Sequence, residues 1–147
     1  MDKITYGKES DLNLKALVVL ARCRQSVMRD ESKPIKSAGL TMGKFAVLEV
    51  LYHKGDMRIK EIMAKILSTG GNMTVVVDNL EKDGLVRRIE DPTDRRAMLV
   101  RITYKGRDKI DEIFPDHLKN INKIFSVLSD EEKQQLISIG KKLGKSL

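Results

Sequence analysis

The stretch "EDPTDRRAMLVRIT", from Glu90 to Thr103, sets the tightest limit on what this chain can become. Asp91, Pro92, Thr93 and Asp94 have turn chemistry: proline presets one backbone angle, and aspartate bonds its own main chain. The flanking segments "LVRRIE" and "RRAMLVRIT" are short and rich in β-branched residues, which predicts a two-stranded hairpin. Arg95 and Arg96 follow directly on the turn. A tip with two arginines beside a carboxylate is built to touch something.

The rest of the sequence reads as helix. From Leu12 to Met28 apolar residues recur on a wide face that includes Leu14, Leu17, Val18, Leu20, Cys23 and Val27, and "KPIKSAGL" is expected to break that helix. Thr41 is the predicted N-cap of the next helix, in which Phe45, Leu48, Leu51 and Tyr52 form a stripe ending at Gly55. "MRIKEIMAKIL" predicts a short amphipathic helix with Ile59, Ile62, Met63 and Ile66 inward. A fourth helix, capped by Thr69, is expected from about Gly70 to Lys82 and stops at Gly84. Its inward face is Met73, Val76, Val77 and Leu80, which leaves Asn72, Thr74, Val75, Asp78 and Asn79 outward. After the hairpin, Thr103 opens a long helix with the a/d rhythm Ile110, Phe114, His117, Ile121, Ile124 and Leu128, bent at Pro115. Ser129 and Glu132 then form a capping box for a last helix carrying Leu136, Ile139 and Leu143.

The 147 residues suit a single domain. A formal net charge of +7 favours an anionic partner, and residues 58 to 107 carry 11 Lys and Arg against 7 Asp and Glu. The charge is spread, so composition alone names no site. No apolar run reaches membrane-spanning length and the first residues lack a signal peptide's apolar core, so a cytoplasmic protein without membrane contact is expected. Cys23 is the only cysteine. It excludes an intrachain disulfide and is read as a buried small hydrophobe rather than a reactive thiol. His117 is read as a hydrogen-bonded interface histidine rather than a metal ligand. With one cysteine and two distant histidines there is no convergent nucleophile and base and no metal cluster, so neither enzyme activity nor a cofactor is expected.

Two short helices joined by a turn, with a ribbon after the second, is the layout of a winged helix-turn-helix. The second helix would enter the major groove of double-stranded DNA, with Thr69, Gly71, Asn72, Thr74 and Val75 at the base edges. Asn72 suits adenine and Val75 a thymine methyl. Arg95 and Arg96 would reach the adjacent minor groove with Asp94 aiming one of them, while Lys82, Arg87 and Arg88 would hold phosphates. A winged-helix module that binds only protein is the alternative, since fold does not fix function.

The run "GLTMGKFAVLEVL…IKEI…GGNMTVVVDNLEKDGLVRR…DPTDRRAMLVRIT" resembles the MarR family of bacterial winged-helix regulators, most specifically in "NLEKDGLVRR", the "DPTDRR…IT" wing and the following "KG" at Lys105 and Gly106. The resemblance implies a mainly α fold with a small hairpin and a DNA-binding lobe over 38–104. It also implies dimerisation helices over 10–30 and 105–147. It implies a homodimer on a pseudo-palindromic operator, a repressor released by a small-molecule effector or another signal, with Arg96 entering the minor groove and Asp94 bracing it. The implied dimer seam contains Leu14, Leu17, Ile121, Ile124, Leu128, Leu136 and Leu143. One branch of the family senses peroxide through a cysteine in its first helix, and the matching position here falls near Ala16. The ligand-binding residues, the target genes and the operator sequence are not written in the motifs.

Overall fold

The computed structural model describes residues 4–66 and 72–144. Helices α1 (Lys8–Ser37), α2 (Met42–Lys54), α3 (Ile59–Lys65) and α4 (Met73–Lys82) precede strands β1 (Val86–Asp91) and β2 (Asp94–Ile102), and α5 (Tyr104–Phe125) and α6 (Asp130–Gly144) follow. The chain divides into two compact units, a lobe of residues 32–120 and a pair of arms, 1–31 with 121–147. The DNA-binding lobe expected over 38–104 falls inside the first of these units. The first four turns of α5 belong to it, because Ile110 and Ile113 are buried in its core.

The lobe is built from capped helices on one apolar core. Thr41 Oγ1 accepts from the Lys44 amide at 3.2 Å, which satisfies one of the orphan N–H groups at the start of α2. Gly55, at φ 83°, ends the helix with its amide on Leu51 O. Between those ends Phe45, Val47, Leu48 and Leu51 are fully buried against Ile62 of α3 and Val77 and Leu80 of α4. In α3 only Ile62 is fully buried; Met63, expected inward, is exposed.

Helix α1 runs through Pro34 to Ser37, past the break expected at "KPIKSAGL". A proline removes one helical hydrogen bond at a cost of ~3 kcal/mol. Here it stands one turn from the end, and the next residue, Ile35, is completely buried in the core. Past Ser37 the helix closes with Gly39 at φ 80°, its amide on Lys36 O and the Leu40 amide on Ile35 O.

Strands β1 and β2 pair antiparallel with Val86 opposite Ile102 and Glu90 opposite Met98. Met57 adds a bridge to Val100 on the other side of β2, through hydrogen bonds of 3.2 and 2.8 Å. Helix α5 then starts hard against β1. Thr103 donates its amide to Leu85 O and its hydroxyl to Gly84 O, and its Oγ1 accepts from the Gly106 amide. A Cβ on residue 106 would lie 2.2 Å from Leu85 O, so only glycine allows this approach.

His117 corrects its reading as a hydrogen-bonded interface residue. It is buried in the lobe, with its ring 4.9 Å from that of Phe45 and 5.9 Å from that of Phe114, and its Nδ1 has no hydrogen-bond partner among the described residues.

In the arms the predicted capping box is present: Ser129 accepts from the Glu132 amide and Glu132 from the Ser129 amide. Leu14, Leu17, Leu136 and Leu143 are exposed there, and Ile121, Ile124 and Leu128 are half-buried. Cys23, expected to be buried, is exposed as well. No helix among the described residues is long and apolar enough to cross a membrane.

Candidate nucleic-acid interface

Helix α4 starts three residues later than its pattern suggested. Asn72 is its N-cap, with Oδ1 accepting from the Thr74 amide at 3.1 Å. A bidentate contact to adenine needs the oxygen and nitrogen of one amide together. The cap bond engages that oxygen at the head of α4. Thr69 and Gly71, the other two expected readers at this end, lie outside the described residues. Thr74, Val75, Asp78 and Asn79 face outward as expected, over a buried row of Met73, Val77 and Leu80. Val75 is 49% exposed, an apolar side chain on a face otherwise polar.

Arg88, an expected phosphate contact, is paired with carboxylates of α4. Its Nη2 lies 2.6 Å from Asp78 Oδ1, its Nη1 bonds Glu81 Oε2, and its amide donates to Glu81 Oε1 at 2.8 Å. Two carboxylates of α4 hold this guanidinium and neutralise it, and the Asp78 bond, with Glu81, raises its pKa. Arg88 thus clamps β1 to α4. Lys82 and Arg87 are exposed and make no ion pair among the described residues.

At the wing tip Pro92 and Thr93 form the two-residue connection, and Asp91 pairs with Asp94. The next pair is Glu90 with Met98, so Arg95, Arg96 and Ala97 leave the ladder together as a bulge. The Arg96 side chain is 94% exposed. Its amide donates to Asp94 Oδ1 at 3.1 Å, and its Nε lies 3.7 Å from the same oxygen. Asp94 therefore holds Arg96 mainly by the backbone, with a loose grip on the guanidinium.

Beneath the tip is a bond system the motifs did not reveal. Asp91 is buried, and its Oδ1 accepts from the Thr93 amide at 2.8 Å and the Thr93 hydroxyl at 2.6 Å. Its Oδ2 accepts from Arg58 Nε at 2.8 Å and Nη2 at 2.5 Å. The Thr93 bonds, then Arg58, hold the Asp91 carboxyl down to about 2. Arg58 caps the start of α3 and also lies 3.8 Å from Asp94. It ties the wing to the helical part of the lobe. The sequence held a partial signal: Arg58 stands three residues before Glu61, whose carboxylate accepts from the Arg58 amide. Its partner 33 residues away had no local mark.

The arrangement offers a shallow outward helix face and a rigid ribbon ending in exposed cations. The narrow minor groove of DNA draws arginine by its negative potential, and a helix of this size fits the major groove. Among the described residues no group of three or more His, Cys, Asp or Glu is placed to hold a metal ion.

Comparison with known proteins agrees with that geometry. Residues 40–98 match the model of the MarR family. The HTH-type transcriptional regulator MhqR of Bacillus subtilis (strain 168) is 42% identical over 135 residues, spanning 92% of this chain and 93% of its own. The transcriptional repressor MprA of Escherichia coli (strain K12) is 27% identical over 148 residues, spanning 97% and 84%. The crystal structure of AbsC, a MarR family transcriptional regulator from Streptomyces coelicolor, shares the fold with a TM-score of 0.83 at 20% identity, covering 99% of this chain and 97% of that one. A likeness to MhqR running nearly end to end, on a lobe whose helices and wing are those of a DNA reader, makes this chain a member of the MarR family of winged-helix transcriptional regulators.

Proposed function

We propose that the chain works as a homodimeric repressor that grips a pseudo-palindromic operator with two copies of α4 and the wing, and releases it when a small molecule binds. The wing tip carries the reading: Arg96 stands almost fully in solvent, with its backbone fixed by Asp94 and its ribbon tied to α3 through Asp91 and Arg58. The fixed backbone leaves only the side chain to be ordered on entering a groove. Thr74 and Val75 are the base readers, with Asn72 as their cap. Lys82 holds a phosphate, and Arg95 joins it at the backbone next to the tip.

The apolar faces of the arms support the dimer. Leu14, Leu17, Leu136 and Leu143 are too many large apolar groups to leave wet on a monomer, and Ile121, Ile124 and Leu128 extend the same seam. Two lobes so joined would meet half-sites about one helical turn, ~34 Å, apart. That the relative MprA is named a repressor supports the sign of regulation.

The test is fluorescence anisotropy with duplexes from the chain's own upstream region and a scrambled control. Arg96→Ala should weaken operator binding by about 1–3 kcal/mol while melting and sedimentation stay as in the parent. Unchanged affinity in the variant would remove the wing from the interface.

A further inference from the structure

A cavity of about 330 Å³ opens at the base of the hairpin, lined by Arg87, Arg101, Ile102, Thr103, Tyr104 and Arg107. Three of the six lining residues are arginines. Arg87 and Arg101 face each other directly across the β1–β2 ladder, where like charges repel. Asp56 offsets only one of them, accepting from Arg101 Nε at 2.8 Å and Nη2 at 2.5 Å. Arg87 and Arg107 have no ion-pair partner among the described residues. Arg107 is instead held by its flat face, with its guanidinium carbon 5.7 Å from the centre of the Tyr52 ring, an attraction that leaves its N–H donors unspent. The Tyr52 hydroxyl is fixed in turn by Asp111 at 2.6 Å.

The wall opposite the strands is the first turn of α5. This helix has 22 residues, and its N-terminal end adds a partial positive charge to the same hollow. Tyr104, 89% exposed, stands three residues before Arg107, so both side chains lie on one face of the helix. The cavity thus combines forked cationic donors, suited to bidentate grip on carboxylate or phosphate, with an aromatic ring that has nothing to cover.

We infer that this hollow is a binding site for a small organic anion, a carboxylate or phosphate ester whose charged end sits among Arg87, Arg101 and Arg107 and whose body rests on Tyr104. The volume is at the small end of ligand cavities, which begin at about 300 Å³. Arg87 lies four residues below Asp91 on β1, about 13 Å from the tip that carries Arg96 at 3.3 Å per residue. The site is therefore separate from the wing contact, and the inference stands whether or not the wing binds DNA. It assigns Arg87 to the anion instead of the phosphate role expected from its charge.

The same chemistry is offered by a free anion and by a phosphate of the DNA backbone, so the experiment has two arms. In the first, amide proton–nitrogen correlation spectra of the full chain are recorded while inorganic phosphate or benzoate is added at constant ionic strength held with chloride. Saturable shifts are expected at Arg87 and from Arg101 to Arg107. The double variant Arg87→Gln with Arg107→Gln should need at least about ten times more probe, each guanidinium contributing a charge-assisted bond. In the second arm Arg107→Gln alone, outside the expected phosphate contacts, is titrated with operator duplex beside the double variant, and its affinity should match the parent's. No shift at these amides in the parent up to about 10 mM of either probe, a concentration that would largely fill a site of about 1 mM Kd, overturns the inference. So does a double variant that titrates with either probe like the parent. A parent blind to both probes whose double variant loses duplex affinity and salt dependence would make the hollow a seat for backbone phosphate, which also overturns it.

Discussion

Helix α2 hides Phe45, Val47, Leu48 and Leu51 from water almost completely, whereas α1 before Glu31 leaves Leu14, Leu17, Val18 and Leu20 about half exposed. Both stretches are apolar helices of similar appearance in the sequence. The difference lies in what the chain supplies to cover them. In the lobe α3, α4, the ribbon and the first part of α5 close over α2, and every fully buried large side chain among the described residues belongs to that unit. The arms have no such cover, and their exposed apolar side chains have the character of half a core. A lobe that completes itself can be altered only at a cost to folding, while arms that do not can be altered at a cost to assembly.

The sharpest test of the lobe's self-sufficiency is Gly106→Ala. The added methyl would meet a backbone oxygen at 2.2 Å and Ile102 Cγ1 at 2.8 Å, neither on a flexible side chain end. A loss of about 3 kcal/mol in urea unfolding is expected, the upper end for overpacking. A variant as stable as the parent would mean that α5 docks less tightly than described. The arms take the next largest effect, on a different observable. Leu17→Glu combined with Leu136→Glu should raise the dimer dissociation constant by about a hundredfold or more in sedimentation, with the lobe's hydrogen-exchange protection retained. If the lobe melted with the arms, the two units would not be independent.

The wing answers to pH. Because the Asp91 carboxyl sits at about 2 instead of the ordinary 3.8, its contribution is present above the ordinary value and is lost as pH falls through the lower one. Exchange protection of the Thr93 amide should therefore hold from neutral pH to about 4 and fall away toward 2. Asp91→Asn should remove that acid step without moving the arms' behaviour. The smallest effect belongs to Thr41→Ala, which deletes one cap on α2 and should cost about 1 kcal/mol. A loss several times larger would show that α2 depends on its end more than on its core.

These contrasts also explain which features the sequence disclosed. The caps at Thr41 and Ser129, the stops at Gly55 and Gly84 and the hairpin about Pro92 are set by residues within a few positions of each other, and local chemistry decides them. What escaped was decided by tertiary placement. Arg58 meets Asp91 33 residues away, and Arg88 reaches back ten residues to Asp78. Pro34 is tolerated because the core holds Ile35. The exposed face of Cys23 and the buried one of His117 follow from packing that no periodicity records. Asn72 is legible as an outward polar residue at the head of α4, but not as its cap, because the sequence pattern predicts a helix start at Gly70.

The bulge at Arg95, Arg96 and Ala97 has a further consequence for how such a chain can diverge. Below it the ladder from Val86 to Glu90 is locked in register by Val86 and Val100, both buried in the core. Because the three bulged residues take no part in that ladder, replacing them shifts no strand and uncovers no core group. The tip is thus a module whose chemistry can drift while the scaffold that carries it stays constant.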